Sequence, residues 1–374
     1  MRGSRAFRGI SAIPAAGPDR RRTDAAPCRR PAESRRCAWR RRGLGLALCV
    51  AHVPAFAQGL PPSADPGRLD RRFEEPATPR ERDEGVRTPP PRRGVPGSAE
   101  RVRFVLRSLR VEGARVIAEE ELLSPHRALL GQEISLARIF EVAEEMTARY
   151  RRAGYVLSQV VVPAQEIRDG DVRLTAVEGY IARTEVSGAD RSDRARVERR
   201  LEGLLVDRPL RADNLERQLL LANDLPGISA RAVLSPSTTP GAADLTVNVE
   251  RREVAGFVGV DNRGTAPIGP EQASFGVRVN SALGAGERLS LRGAVASPMQ
   301  ELRFLEAGVD APVGAGGTEV GLRASKSETE PGGLLSRFQI EGSSRGGEIS
   351  LRHPVLRTRA ENLTATLRFA AHES

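Results

Sequence analysis

The last third of the chain consists of short runs in which apolar and polar residues alternate. In ASFGVRVN, Phe275 and Val277 alternate with Gly276 and Arg278. The same alternation returns in RLSLRGAV, EVGLRAS, EISLRHPV and LTATLRFA. A period of two places apolar side chains on one face of a sheet and polar side chains on the other. The pattern therefore predicts a series of antiparallel strands joined by turns.

These runs approach the length of about nine to eleven residues with which a tilted strand crosses a bilayer. Arginine recurs on the polar face of strand after strand, as is typical of a water-filled lumen. We predict about seven strands of a transmembrane β-barrel in residues 253–374. The predicted pore-lining residues are Arg278, Arg292, Arg323 and Arg352. A soluble sheet with one buried face shows the same alternation, so a soluble module remains an alternative at this point.

Residues 101–179 and 180–252 carry the same order of strand, helix, helix, strand, strand. The landmark Val111-x-Gly113-Ala114 returns as Val186-x-Gly188-Ala189. Gly154 and Pro163 likewise return as Gly227 and Pro236. Self-similarity at a fixed period of this size indicates two copies of one structural unit.

The stretch GDVRLTAVEGYIARTEVSG joins the two copies with almost no turn. It reads as the last strand of the first copy followed directly by the first strand of the second. Glu178, Gly179 and Tyr180 are therefore predicted to form the joint between the two domains. So short a joint predicts a restricted angle between them.

Residues 1–57 have the three parts of a secretory signal, with an N-terminus longer than usual. Arginines precede the apolar stretch GLGLALCVAHV, and Ala55-Phe56-Ala57 fits a cleavage site. Residues 58–100 are rich in Pro, Arg and acidic residues and are predicted to be a linker. Within it, residues 65–75 are predicted to form a short helix, with Leu69 and Phe73 one turn apart.

Charge and cysteine content exclude several classes of function. The net charge of +10 resides in the first 57 residues, which hold 13 Arg against Asp19, Asp24 and Glu33, so the remainder has 45 basic and 45 acidic residues. Nucleic-acid binding based on overall charge is therefore not indicated. All three cysteines lie in the signal segment, and the histidines show no ligand spacing. We therefore expect neither a disulfide nor a metal site in the mature chain.

The combination of these segments resembles the outer-membrane transporters of two-partner secretion, the haemolysin secretion and activation type (TpsB family). The resemblance rests on YRRAGYVLSQVVVPAQEIRDGDVRLTAVEGYI, DNRGT at 261–265, ALGAGERL at 282–289 and RHPVLRTRAENL at 352–363. It implies an α+β fold of two polypeptide-transport-associated (POTRA) repeats, each β-α-α-β-β, followed by an antiparallel transmembrane β-barrel. It also implies a bacterial outer-membrane location with the POTRA repeats in the periplasm.

The resemblance further implies that the 65–75 helix plugs the pore and that a complete barrel has about sixteen strands. We count about seven strands before Ser374, and therefore expect the chain to hold the N-terminal half of the barrel. Half a barrel leaves unpaired strand edges, which are costly in lipid, so we expect no working pore from this chain alone. The implied partners are a secreted TpsA-type exoprotein of the haemolysin or adhesin class and outer-membrane lipid. No enzymatic step, cofactor, nucleotide or nucleic acid is implied.

A β-α-α-β-β unit leaves a sheet edge to which an extended segment of the exoprotein can add as a further strand. The strands Tyr155 to Val162 and Ile228 to Leu234 are the candidate edges, although which strand is free is not given by sequence. The candidate substrate-binding residues are Tyr155, Val156, Leu157, Ser158, Gln159 and Val160 in the first repeat and Ile228, Ala230 and Ala232 in the second. Two alternatives stay open: a factor of the same superfamily that assembles outer-membrane proteins, and a soluble periplasmic protein-binding module.

Overall fold

A computed structural model describes residues 97–374 of the chain. Two small α+β units come first, and one larger sheet follows them. The first unit comprises β1 (Arg103–Val105), β2 (Ser108–Glu112), α1 (Glu119–Leu123), a 3-10 helix (Ser124–Leu129), β3 (Glu133–Ser135), α2 (Leu136–Arg152), β4 (Gln159–Val161) and β5 (Asp171–Val177). The second comprises β6 (Tyr180–Ser187), α3 (Arg191–Leu205), α4 (Ala212–Asn223), β7 (Ile228–Pro236) and β8 (Ala242–Arg251). The larger sheet comprises β9 (Val254–Asp261), β10 (Glu271–Asn280), β11 (Arg288–Ser297), β12 (Arg303–Val313), β13 (Thr318–Thr329), β14 (Gly342–Arg357) and β15 (Asn362–Glu373).

The first repeat packs its long helix on a sheet of order β2-β5-β4, while β1 and β3 pair separately. Helix α2 begins where the hydroxyl of Ser135 accepts a hydrogen bond from the N–H of Arg138 at 3.2 Å, which satisfies one of the free donors of a helix start. It ends before Gly154, which adopts a φ of +90°. Its buried face includes Ile139 and Met146, which pack into the core of this repeat.

The second repeat has the equivalent order β6-β8-β7 and a core of its own. In the two three-stranded sheets, β2 runs parallel to β5 and β6 runs parallel to β8. The remaining strands, β4 and β7, pair antiparallel with β5 and β8, respectively. Helix α3 begins at Asp190, whose carboxylate accepts from the N–H of Asp193 at 2.8 Å. The two copies predicted from sequence are therefore present as two separately packed units.

Backbone conformation and close packing explain why glycine occupies the third position of the repeated Val-x-Gly-Ala landmark. Gly113 and Gly188 have φ values of +83° and +79° and directly follow β2 and β6, respectively. A Cβ at Gly113 would lie 2.6 Å from the carbonyl oxygen of Ala176, and a Cβ at Gly188 would meet the carbonyl oxygen of Val249. Only glycine permits both the left-handed backbone and this close approach.

The larger sheet contains seven strands in sequence order, each antiparallel to the next. The Gly314 to Gly317 stretch forms the turn between β12 and β13, and their register runs from Val313 opposite Thr318 to Arg303 opposite Glu328. The predicted fold class, two β-α-α-β-β repeats followed by part of an antiparallel barrel, is confirmed. Among the helices of residues 97–374, none is long and apolar enough to cross a membrane.

One predicted strand is wrong in its first half. The strand expected from Tyr155 onward begins only at Gln159, because residues 155–158 form a turn that the N–H of Ser158 closes on the carbonyl of Tyr155 at 3.1 Å. Leu157 packs against the core of the second repeat instead of extending the sheet. Tyr155, Val156, Leu157 and Ser158 are therefore not edge-strand residues.

Candidate functional site

The four arginines predicted to line the pore lie on one face of the seven-stranded sheet. Arg278, Arg292, Arg323 and Arg352 belong to β10, β11, β13 and β14, and all four line one cavity of about 440 Å³. Ser290, directly opposite Arg278 on the neighbouring strand, lines the same cavity. The sheet thus has a continuous polar face.

Carboxylates that the sequence analysis did not single out pair with these arginines. Arg292 lies opposite Glu306 in the register of β11 and β12, and their side chains are 2.5 Å apart. Arg352 lies opposite Glu319, at 3.2 Å. Opposite charges on directly facing residues stabilise neighbouring strands. Carboxylates thus share the polar face with the arginines.

A chain of charges also runs across four strands. Arg323 on β13 contacts Asp310 on β12 and Glu348 on β14, each at 3.1 Å. Glu348 in turn contacts Arg368 on β15 at 3.4 Å. The polar face therefore carries a network of alternating charges across these four strands. Its cavity is lined by six arginines, Arg278, Arg288, Arg292, Arg323, Arg352 and Arg368, and by three carboxylates, Glu306, Asp310 and Glu348.

The opposite face of the same sheet is apolar and exposed. Its large side chains that are at least 39% exposed include Val258, Val260, Phe275, Val277, Leu291, Leu305, Leu322, Ile349, Leu351, Leu363, Leu367 and Phe369. An apolar surface that spans so many strands is characteristic of contact with lipid. One water-facing and one lipid-facing side define the wall of a membrane barrel.

Glu178 ties the joint between the repeats to the first repeat. Its carboxylate accepts hydrogen bonds from the N–H groups of Arg115 and Val116 at 2.7 and 2.9 Å and from the hydroxyl of Tyr150 at 3.1 Å. Burial, followed by the Glu178 charge, raises the pKa of the Tyr150 phenol above its ordinary value. Three donors from one loop and one helix therefore converge on one joint residue.

Gly179 bonds to both repeats, and Tyr180 packs within the second. The N–H of Gly179 donates to the hydroxyl of Ser158 at 3.1 Å, and its carbonyl accepts from the N–H of Leu210 at 2.8 Å. The guanidinium of Arg208 lies 4.2 Å from the centre of the Tyr180 ring, within cation–π distance. The predicted joint residues thus form a tightly packed contact between the domains.

The edge of β4 is closed by a side chain of its own repeat. The hydroxyl of Thr147, on α2, accepts from the N–H of Val160 at 2.8 Å and lies 3.4 Å from its carbonyl oxygen. These backbone groups are the ones that an added strand would need. Of the first repeat's candidate residues, only Gln159 and Val160 lie on the strand, and Val160 is capped.

The start of β7 is closed in the same way. The side chain of Asn223 accepts from the N–H of Ala230 at 2.6 Å and donates to its carbonyl at 3.0 Å. The N–H of Ile228 donates to the carbonyl of Leu225 at 3.1 Å. Ile228, Ala230 and Ala232 do lie on an edge strand as predicted, but of these only Ala232 lies beyond the capped section.

Two further predictions concern other parts of the chain. Leu69 and Phe73 of the predicted plug helix, like the signal segment, lie outside the described residues. Within residues 97–374, no group of three or more His, Cys, Asp or Glu side chains is arranged to hold a metal ion.

Two POTRA-like repeats joined to a sheet with one lipid face and one water face define a protein of the class that combines POTRA domains with an outer-membrane barrel. Comparisons with known proteins agree with this class. Residues 104–179 match the POTRA domain of ShlB type, and residues 241–374 match the haemolysin secretion/activation protein family ShlB/FhaC/HecB.

Two curated relatives extend the match. The heme/hemopexin transporter protein HuxB of Haemophilus influenzae is 26% identical over 256 residues, which are 68% of this chain and 45% of the relative. The outer membrane transporter CdiB of Escherichia coli is 25% identical over 215 residues, which are 56% of this chain and 36% of the relative. The chain thus spans less than half the length of the curated relatives it matches.

The solved structure of CdiB from Escherichia coli has the same fold, with a TM-score of 0.56 at 23% identity over 75% of this chain and 53% of that one. The chain belongs to the TpsB family of haemolysin secretion and activation proteins. It is accordingly a protein of the bacterial outer membrane, with its POTRA repeats in the periplasm.

Proposed function

We propose that this chain acts in two-partner secretion, in which it moves a TpsA-type exoprotein of the haemolysin or adhesin class across the outer membrane. The observation that carries the proposal is the combination of a polar inner wall with a second repeat that contacts the barrel and keeps uncapped sections of strand edge. The curated relatives, a heme/hemopexin transporter and an outer membrane transporter, support transport as the general activity.

Direct contacts attach the second repeat to the barrel. Arg357, at the end of β14, contacts Asp224 through two bonds, Nε to Oδ2 at 2.8 Å and Nη2 to Oδ1 at 3.0 Å. Arg200 on α3, only 4% exposed, donates to the carbonyl of Ala315 in the β12–β13 turn at 2.8 Å. A segment captured by this repeat is therefore held beside the mouth of the pore.

Capture proceeds by strand addition, in which main-chain hydrogen bonds give affinity with little demand on sequence. The exoprotein then crosses in extended form along the charged wall, where Arg323 and its two carboxylate partners keep the lining hydrated. Because these charges are already paired, the wall retains no strong site that would hold the passenger. No step in this cycle makes or breaks a covalent bond, so the proposal requires neither an enzyme activity nor a cofactor.

Deletion of the gene in its own host, followed by mass spectrometry of the culture medium, tests the proposal. We expect one or a few large polypeptides to disappear from the medium and to return when the gene is restored. Restoration with a gene that lacks residues 101–252 should fail. A normal medium combined with depleted outer-membrane proteins would instead support the assembly factor. Recovery of the chain from the periplasm without detergent would support the soluble module.

A further inference from the structure

The four strands at the sheet edges of the two repeats are closed to different extents. In the first repeat, Thr147 caps β4, and the carboxylate of Glu119 caps β2 by accepting from the N–H of Val111 at 2.8 Å. In the second repeat, Asn223 caps the start of β7. Side chains that satisfy an outer backbone group protect an edge against strand addition.

Strand β6 lacks such a cap in the described part of the chain. Its hydrogen bonds go to β8 or to Gly241 just before β8, and its side chains Arg183 and Ser187 also bond to β8. The carboxylates near the start of α3 do not cover it, because Asp190 and Asp193 both contact Arg251 on β8. The outer edge of β6 is therefore uncapped in the described chain, and it is regular from Arg183 to Ser187, after the register shift between Ile181 and Arg183.

The repeat symmetry shows which amides point outward. Val111 and Val186 each lie two residues before a left-handed glycine that packs on the last strand of its repeat. Because the N–H of Val111 points outward to Glu119, the N–H of Val186 points outward as well. Amide direction alternates along a strand, so the N–H of Thr184 also points outward.

The open edge leads from the domain joint to the barrel. Strand β6 begins at the joint residue Tyr180, and the loop after it reaches Asp190, which contacts Arg251 at 2.5 Å. Arg251 donates to the carbonyls of Asn280 and Ser281, where the β10–β11 turn begins, at 3.3 and 3.4 Å. Eight residues of strand span roughly 26 Å, so an added strand would bridge the joint and the rim of the barrel.

We infer that the outer edge of β6 is the docking strand for an extended segment of the secreted partner. This inference rests on the proposed function and assigns its capture step to β6 rather than to β4 or β7. The occupant is a passenger segment and not a second copy of the chain, because the edge ends at the barrel, where a passenger must be delivered. Arg183 and Glu185 are exposed beside this edge with opposite charges, which suits recognition by main chain more than by side chain.

Hydrogen exchange on the full chain in detergent tests this inference. The probe is a synthetic twelve-residue peptide of alternating Val and Thr, and the control peptide has the same sequence with alternate amides N-methylated. The unmodified peptide should slow exchange of the amides in Ala182–Ser187 by about tenfold, which corresponds to about 1.4 kcal/mol. The N-methylated peptide should have no effect, because it cannot form the second row of hydrogen bonds.

Two proline variants provide matched controls. Thr184→Pro removes an outward N–H of β6 without removing a bond to β8, and should abolish the protection. Ala232→Pro removes the corresponding outward N–H from the uncapped half of β7. This variant should leave the protection of the β6 amides unchanged. The exchange pattern of the wild-type chain is decisive even if a variant fails to fold.

Protection of β7 instead of β6, or equal protection by the N-methylated peptide, would overturn the inference. So would slow exchange in β6 that appears without peptide and increases with chain concentration, since this indicates a second copy. These outcomes are separate from the secretion test, because a transporter that still exports its partner with no footprint on β6 refutes only the docking site.

Discussion

Replacement of Gly179 by alanine tests the tight joint between the POTRA repeats. A Cβ at this position would lie 2.5 Å from the Cβ of Leu157 and 2.6 Å from its carbonyl carbon. These separations are about 1 Å below the optimum of roughly 3.5 Å for carbon atoms. Leu157 cannot move away, because it packs against the core of the second repeat.

The expected cost follows from this overlap and from the bonds that Gly179 makes. Overpacking of this kind costs about 1–3 kcal/mol, which is roughly a 5- to 150-fold change in the equilibrium between closed and opened joint. Any shift that relieves the clash also weakens the bonds to Ser158 and Leu210, so opening of the joint is the expected response.

Spin-label distances between the repeats measure this response. The described chain contains no cysteine, so Arg151→Cys and Arg194→Cys place one label on each repeat without background. We expect a narrow distance distribution in the parent and a broad one in Gly179→Ala. Gly203→Ala, on α3, is the control, because its Cβ would meet only the side chain of Gln218 at 3.5 Å. An unchanged narrow distribution in Gly179→Ala would refute the idea of a fixed joint.

The remaining predictions concern pH and the contact with the barrel. Burial and the Glu178 charge raise the pKa of Tyr150, so the protonated phenol stabilises the folded first repeat. The free energy of unfolding of this repeat should therefore be constant below pH 10 and decline above it. Tyr150→Phe should flatten this decline when it is followed by amide exchange. Burial lowers the pKa of the His126 imidazole below 6.5, so the first repeat should lose stability as the pH falls below 6.5. His126→Gln should remove this loss, measured as the decrease of the melting temperature at acid pH. Arg357→Ala and Asp224→Ala should each increase proteolysis between the second repeat and the barrel. A double-mutant cycle should give a coupling free energy of about 1–3 kcal/mol between the two side chains. Additive effects of the two substitutions would contradict a direct contact.

Local pattern was sufficient to predict the strands, the long helix and the joint. The alternation around Phe275 and Val277 gave β10, and the helical spacing of Ile139 and Met146 gave α2. Glu178 stood out because two strands met there with no turn. These features depend on residues close together in sequence, so their signal is complete in one segment.

The errors arose where the structure depends on distant contacts. Tyr155 and Leu157 lie at alternate positions, as the apolar residues of a strand do. In the structure Leu157 packs against the core of the second repeat, and residues 155–158 form a turn. The caps formed by Thr147 and Asn223 are visible only when the sheet order is known. Glu306 could have been found from sequence, because it shares with Asp310 the polar positions of the alternation in β12.

Crosslinking from the barrel wall tests the central claim most directly. A photoreactive residue at Ser290 faces the cavity, whereas one at the adjacent Leu291 faces the apolar side. In the host, during export, crosslinks to a secreted polypeptide should form from Ser290 and not from Leu291. Equal crosslinking from both positions, or none from Ser290 while export continues, would contradict passage of the partner along this wall.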